Sequence, residues 1–167
     1  MKTVGIFYGS STGNTQDVAK SIANKLGVSN LFDVANASGT QLAEYDVLLL
    51  GSSTWGIGDL QDDWEGFISQ MKKQDLSGKI VAVFGCGDSS SYSDSFCDAL
   101  GVIANAAKAA GATIVGCVAA SDYEYDDSQS VEDGKFLGLA LDIENEDDKT
   151  DSRISAWTEQ LKAEAGL

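Results

Sequence analysis

The sequence predicts an α/β domain built on a doubly wound, five-stranded parallel sheet with helices on both faces and a fifth strand interrupted by a loop insertion. Three observations lead there. Strand-length apolar runs lack polar alternation, amphipathic helical patterns fall between them, and loops of unusual chemistry follow three of the strands. Strands that alternate with helices imply right-handed crossovers, and such a sheet places its ligand beyond the carboxyl ends of the strands.

In chain order, residues 4–8 form a Val- and Ile-rich run, the signature of a strand buried on both faces. Val18, Ile22 and Leu26 then recur at helical spacing. A weaker strand at 31–34 and a strong one at 46–50 follow, then a helix marked by Trp64, Phe67, Ile68 and Met71. The run at 79–84 precedes a helix marked by Phe96, Leu100, Ile103 and Ala107. The fifth strand occupies 113–118, is split by the polar, acidic stretch 119–135, and resumes near 136–141. Ile154, Trp157 and Leu161 mark the last helix, which Thr150 and Asp151 start as cap and first-turn acid. Glu144 to Asp148 then reads as a charged approach to that helix, and 122–127 as a solvated acidic loop.

The 167 residues have the size of one domain, with 43% hydrophobic content to fill its core. The N-terminus carries no charged region, apolar core and cleavage site of an export signal, and no segment has the length of a membrane span. The expectation is a soluble, cytoplasmic monomer. A net charge of −15 argues against nucleic acid and anionic lipid, which reward clustered Lys and Arg. It suits basic partners, and it serves solubility equally well. Cys86, Cys97 and Cys117 are odd in number, form no CxxC pair and sit in or beside apolar stretches, so they read as reduced, buried thiols. With no His at all, the common metal sites and the Ser-His-Asp and Cys-His catalytic groupings are excluded.

After the first strand comes Gly9-Ser10-Ser11-Thr12-Gly13-Asn14-Thr15 and then an amphipathic helix. Loop N–H groups and the unpaired first-turn donors of the helix converge there on an anion. Hydroxyls of Ser10, Ser11, Thr12 and Thr15 and the Asn14 amide add hydrogen bonds, in a nest without Lys or Arg. A Walker-type triphosphate site needs Lys where Asn14 stands, and no GxGxxG supports a dinucleotide. A monophosphate ester fits, with about 0.3 to 1 kcal/mol from the helix dipole alone. The alternative is a plain Ser/Thr-rich turn with a helix cap.

Two further loops each carry an aromatic. Ser52-Ser53-Thr54-Trp55-Gly56-Ile57-Gly58-Asp59 presents Trp55 between small residues, and Gly85-Cys86-Gly87-Asp88 leads to Tyr92. Each aromatic alone is more commonly a core or rim residue. Together they flank one phosphate site and form a slot for a flat ring, where stacking adds about 0.5 to 1.5 kcal/mol per aromatic pair.

The segments 9–15, 54–58 and 85–88, together with Tyr92, resemble the FMN-binding motifs of flavodoxins. The resemblance spans essentially the whole chain. The interrupted fifth strand, with 134–142 after it, is similar to the insertion of long-chain flavodoxins, and the implied strand order is 2-1-3-4-5. The resemblance implies that residues 10–15 hold the FMN phosphate, that Trp55 and Tyr92 cover the two ring faces, and that Gly87 and Asp88 meet the pyrimidine edge. Ser53, Thr54, Gly56, Ile57, Gly58, Cys86, Phe96 and Cys97 complete the implied cofactor-binding set. Two departures stand out: Ser53 precedes Thr54-Trp55 where many relatives have Pro, and Gly56 follows Trp55 where many have a side chain.

The implied function is a low-potential one-electron carrier, not an enzyme, whose FMN shuttles between semiquinone and hydroquinone. In flavodoxin-like sites the peptide after this Trp reorients on one-electron reduction, and Gly56, lacking Cβ, reaches conformations that cost another residue about 1 kcal/mol or more. Aromatic faces and carboxylates disfavour the second negative charge. Implied partners are redox proteins with basic docking surfaces, such as a ferredoxin/flavodoxin-NADP reductase, and low-potential oxidoreductases. Asp59, Asp62, Asp63 and Glu65 offer a negative rim to them, or simply an acidic first helical turn. The rival is an FMN-dependent NAD(P)H:quinone reductase of the same fold, which needs a second substrate pocket and proton-handling groups that the sequence does not display. A receiver domain needs an acidic cluster after the first strand, where Ser10 and Ser11 stand instead.

Overall fold

A computed structural model describes residues 2–11, 13–55 and 58–167. Its strands are β1 (Val4–Gly9), β2 (Leu31–Asp33), β3 (Val47–Ser52), β4 (Thr54–Trp55), β5 (Asp59–Leu60), β6 (Ile80–Cys86), β7 (Thr113–Ile114), β8 (Val118–Ala119), β9 (Val131–Glu132), β10 (Lys135–Phe136) and β11 (Gly138–Leu141). The helices are α1 (Asn14–Leu26), α2 (Asp62–Met71), α3 (Asp98–Ala109) and α4 (Ile143–Glu164).

The main sheet is parallel and runs β2-β1-β3-β6-β11, with β7 also pairing β6. Positions beside β6 are shared: β7 lies opposite Ile80 and Val81, and β11 lies opposite Val83 to Cys86. The fifth strand is therefore two segments of one edge, with the insertion leaving between them. Its strands β8, β10 and β9 form a small antiparallel sheet.

Both faces of the sheet are covered, which is why its strands read as unbroken apolar runs. Phe7, Leu48, Leu50, Val81 and Val83 pack into one core with Trp64, Phe67, Leu100 and Ile103 of α2 and α3. Val4, Ile6, Leu49, Ala82 and Phe84 pack into the other with Val18, Ile22, Trp157 and Leu161 of α1 and α4. Alternate residues of each strand face opposite cores, and burying each large side chain contributes about 1.5 to 3 kcal/mol.

Four sequence expectations are corrected. The strand predicted at 113–118 leaves the sheet after Val115, because Gly116 adopts φ +81 and its carbonyl accepts a 2.8 Å hydrogen bond from Trp157 Nε1. Val118 pairs with Phe136 instead. The last helix starts at Ile143, not at Thr150 and Asp151, which lie in its interior; Glu144 to Asp148 belong to the helix, which kinks at Glu146. Helix α3 starts at Asp98, so Phe96 precedes it and packs against Tyr125 and Phe136 of the insertion. The 122–127 loop is not wholly solvated. Tyr123 is buried, with its hydroxyl donating to Ala140 O, while the neighbouring acids stay exposed.

Candidate functional site

The β1–α1 loop is shaped by Gly13, whose φ of +95 is a left-handed conformation that favours glycine. Ser10 Oγ accepts from Gly13 N at 3.0 Å and closes the turn. Among the described residues no side chain caps α1, whose first-turn N–H groups stand at the sheet's carboxyl edge. Ser10, Ser11, Gly13, Asn14 and Thr15 are thus gathered around one helix end. A hydroxyl that accepts one bond keeps its own proton to donate.

Two contacts hold this loop in place. The buried Thr15 hydroxyl lies 2.6 Å from Ser53 Oγ, joining α1 to the loop after β3. Ser11 Oγ accepts from Gln61 Nε2 at 3.1 Å. Gln61, 1% exposed, also accepts from Asp63 N and so caps α2, and its N–H donates to Ser52 Oγ.

In the second loop, Thr54 pairs with Leu60 and Trp55 with Asp59, forming a short hairpin. Thr54 Oγ1 accepts from Ala99 N at 3.0 Å and ties the hairpin to α3. Gly58, at φ +87, sits against Asp98. Thr12, Gly56, Ile57 and the Trp55 side chain lie outside the described residues.

The third loop is a turn organised by Asp88. Its Oδ1 accepts from Ser90 N and Ser91 N at 3.1 Å each, and its carbonyl accepts from Tyr92 N at 2.9 Å. Tyr92 is left 45% exposed. Gly85 and Gly87 allow close packing beneath: a Cβ at Gly85 would strike Ser52 O, and one at Gly87 would strike Cys97.

These loops enclose a cleft of about 230 Å³, whose walls include Asn14, Ser53, Thr54, Cys86, Gly87, Asp88 and Tyr92. Ile143 and Glu144, the first residues of α4, complete it. The side chains of Phe96 and Cys97 are instead turned into the core behind Gly87. Burial pushes the Cys86 thiol up to about 12 and the Cys97 thiol well above its ordinary value, so neither is a thiolate nucleophile. Hydrogen bonding, first from Asn145, holds the Asp88 carboxyl below its ordinary range. A cavity of about 310 Å³ between α4 and β8 is larger, but the loop donors and the exposed aromatic do not converge on it. Among the described residues, no group of His, Cys, Asp or Glu is placed to hold a metal, and no helix is long and apolar enough to cross a membrane.

Sequence reasoning missed Gln61, Ile143 and Glu144. Gln61 stands one residue before a helical pattern, a capping position. The other two lie just past the fifth strand's second segment, beyond Asp142, and the rule that ligands sit at carboxyl ends applies to that strand as well.

The architecture defines a doubly wound open-sheet protein with a cleft at the carboxyl edge, reached by the start of α1. The family model described as Flavodoxin matches residues 6–157. Flavodoxin from Nostoc sp. is 45% identical, with 99% of each chain covered, and Flavodoxin 1 from Escherichia coli is 42% identical over 100% of this chain and 97% of its own. A crystal structure of Fusobacterium nucleatum flavodoxin bound to flavin mononucleotide superposes with a TM-score of 0.93 at 30% identity, covering 98% of this chain and 99% of that one. The chain belongs to the flavodoxin family.

Proposed function

We propose that this chain is a low-potential, one-electron carrier that folds as a single domain over 1–167 and binds one FMN non-covalently in the cleft. The observation that carries the assignment is the uncapped, cation-free start of α1 opening onto a cleft flanked by an exposed tyrosine. Its donors are N–H groups, hydroxyls and one amide, a set suited to a single phosphate ester.

Residues 10–15 hold the phosphate. Trp55 and Tyr92 flank the ring, and Gly87 and Asp88 meet its polar edge. When bound, FMN supplies reversible one-electron chemistry that no side chain here provides. The protein binds the ring at a solvent-reachable edge and surrounds it with negative groups. Asp88 is held ionised, and Glu144 lines the same cleft. Negative charge added in this setting is disfavoured, so the operating potential is low.

Asp59, Asp62, Asp63 and Glu65 are all exposed beside the hairpin. Three of them also occupy the first turn of α2, where they favour the helix dipole. Their field draws basic redox partners, such as a ferredoxin/flavodoxin-NADP reductase and low-potential oxidoreductases, to the edge where electrons leave. The carrier works as a cytoplasmic monomer.

The test has two parts. FMN is titrated into FMN-free protein with riboflavin as comparison, and the loaded protein is then reduced anaerobically. Tight binding of FMN, weak binding of riboflavin and two separate one-electron steps are expected. Equal affinity for riboflavin removes the phosphate loop's role, and direct oxidation of NAD(P)H without a reductase overturns the carrier assignment.

A further inference from the structure

Apart from the three loops, the part of the molecule most heavily hydrogen-bonded to the cleft is the first turn of α4. Asn145 is exposed and packs into neither core, yet its side chain is hydrogen-bonded to Asp88, Ser89 and Ser90 of the turn and to Asp142. Its Nδ2 donates to Asp88 Oδ1 at 2.9 Å and to Asp142 Oδ1 at 2.8 Å. Its Oδ1 accepts from Ser90 Oγ at 2.7 Å. The orientation of the amide is determined by charge, because carboxylates only accept and must face the NH₂ group.

Asp142 is 1% exposed and is further held by Ser89, whose N–H and hydroxyl both donate to it. Two carboxylates, one on the turn and one just after β11, are therefore bridged by a single neutral amide, 57 positions from the first of them. Without a donor between them, two like charges at this spacing repel. The same Asp88 oxygen that Asn145 holds is the acceptor for Ser90 N and Ser91 N, and Tyr92 N donates to the Asp88 carbonyl. The chain of contacts thus runs Asn145, Asp88, Tyr92. Glu144, next to Asn145, lines the cleft from the other side.

We infer that Asn145 is a positioning residue for the cleft: by bridging Asp88 to Asp142 it fixes the 88–92 turn, and with it Tyr92, against the start of α4. The inference rests on the FMN reading for its effect on the cofactor, but the bridge itself is a property of the chain alone. Asp88's carboxyl lies below its ordinary range with this hydrogen bond as the first cause, in agreement with the geometry.

Asn145→Ala and Asn145→Asp test it. In FMN-free protein, titration of the Asp88 carboxyl carbon by NMR is expected to move upward in Asn145→Ala, with faster amide exchange across 88–92. FMN affinity is expected to fall roughly five- to tenfold in Asn145→Ala, the usual net effect of losing one hydrogen bond. Asn145→Asp, which adds a third carboxylate and no donor, is expected to bind more weakly still. Because Ser89 still holds Asp142 and residue 145 packs into neither core, both variants should remain folded by circular dichroism, so the affinity change is read on an intact chain. An Asp88 titration unchanged by Asn145→Ala overturns the bridge. A moved titration with FMN affinity within twofold of the unsubstituted chain overturns the positioning role. If the unsubstituted chain binds no FMN, the cofactor reading fails, and the positioning role falls with it.

Discussion

The contact between Thr15 and Ser53 joins the anion loop to the loop after β3, and its removal has a calculable cost. Thr15 is fully buried and Ser53 is 7% exposed, with their hydroxyls 2.6 Å apart. Thr15→Val keeps the shape and deletes the hydroxyl, so Ser53 Oγ is left buried without that partner. Such an orphaned group costs about 1 to 3 kcal/mol. The neighbouring Cys86 Sγ, 4.0 Å from Thr15 Oγ1, is too weak an acceptor to compensate Thr15 in the reverse variant, Ser53→Ala. Urea unfolding of FMN-free protein, followed by tryptophan fluorescence, measures both. With a slope of about 2 kcal/mol per molar, a loss of about 2 kcal/mol lowers the midpoint by about 1 M. The double variant removes both groups and should cost less than the sum of the singles by about 1 kcal/mol or more. Because the start of α1 also loses its alignment, FMN affinity should fall about tenfold in Thr15→Val. Strict additivity, or a midpoint unmoved by Thr15→Val, refutes the reasoning.

Arg153, the only arginine, is 8% exposed on its side chain, donates to Glu146 at 3.1 Å and lies 3.9 Å over the Tyr123 ring. Arg153→Met should cost about 2 kcal/mol, less than a fully orphaned pair because Lys149 still holds Glu146, and hydrogen exchange should rise at 120–127 first. Asp98 is 4% exposed, and burial raises its carboxyl above the ordinary range. A raised carboxylate contributes stability below its unfolded value and loses it as pH rises through the folded value. Asp98→Asn, which keeps an acceptor for Gln129 N, should therefore gain stability relative to the native chain as pH rises from about 4 through the folded value. Paired urea midpoints that keep a constant gap across that window rule this out. Replacing Gly56 by Ala or Asn should draw the two reduction potentials together, each 1.4 kcal/mol counting for about 59 mV. Unchanged spacing in a potentiometric titration rejects the role assigned to Gly56.

The periodic signals in the sequence were sufficient for the sheet and its helices. Trp64, Phe67, Ile68 and Met71 are all buried on the face their spacing marked, and the apolar strands lie between two cores. The candidate anion loop was legible as a motif, because residues 9–15 of a strand-to-helix turn are consecutive in the chain. What the sequence alone determined is thus whatever depends on neighbours along the chain. The tertiary structure decided the rest. Where the fifth strand breaks depends on Gly116 meeting Trp157, 41 positions away, and where α4 begins depends on Asp142 being held by Ser89 and Asn145. The cleft's fourth wall and the amide that steadies Tyr92 come from that same helix start. Their local sequence, Ile143 to Asp148, reads only as acidic surface, because a hydrogen bond across 57 residues leaves no periodic trace in the chain that makes it.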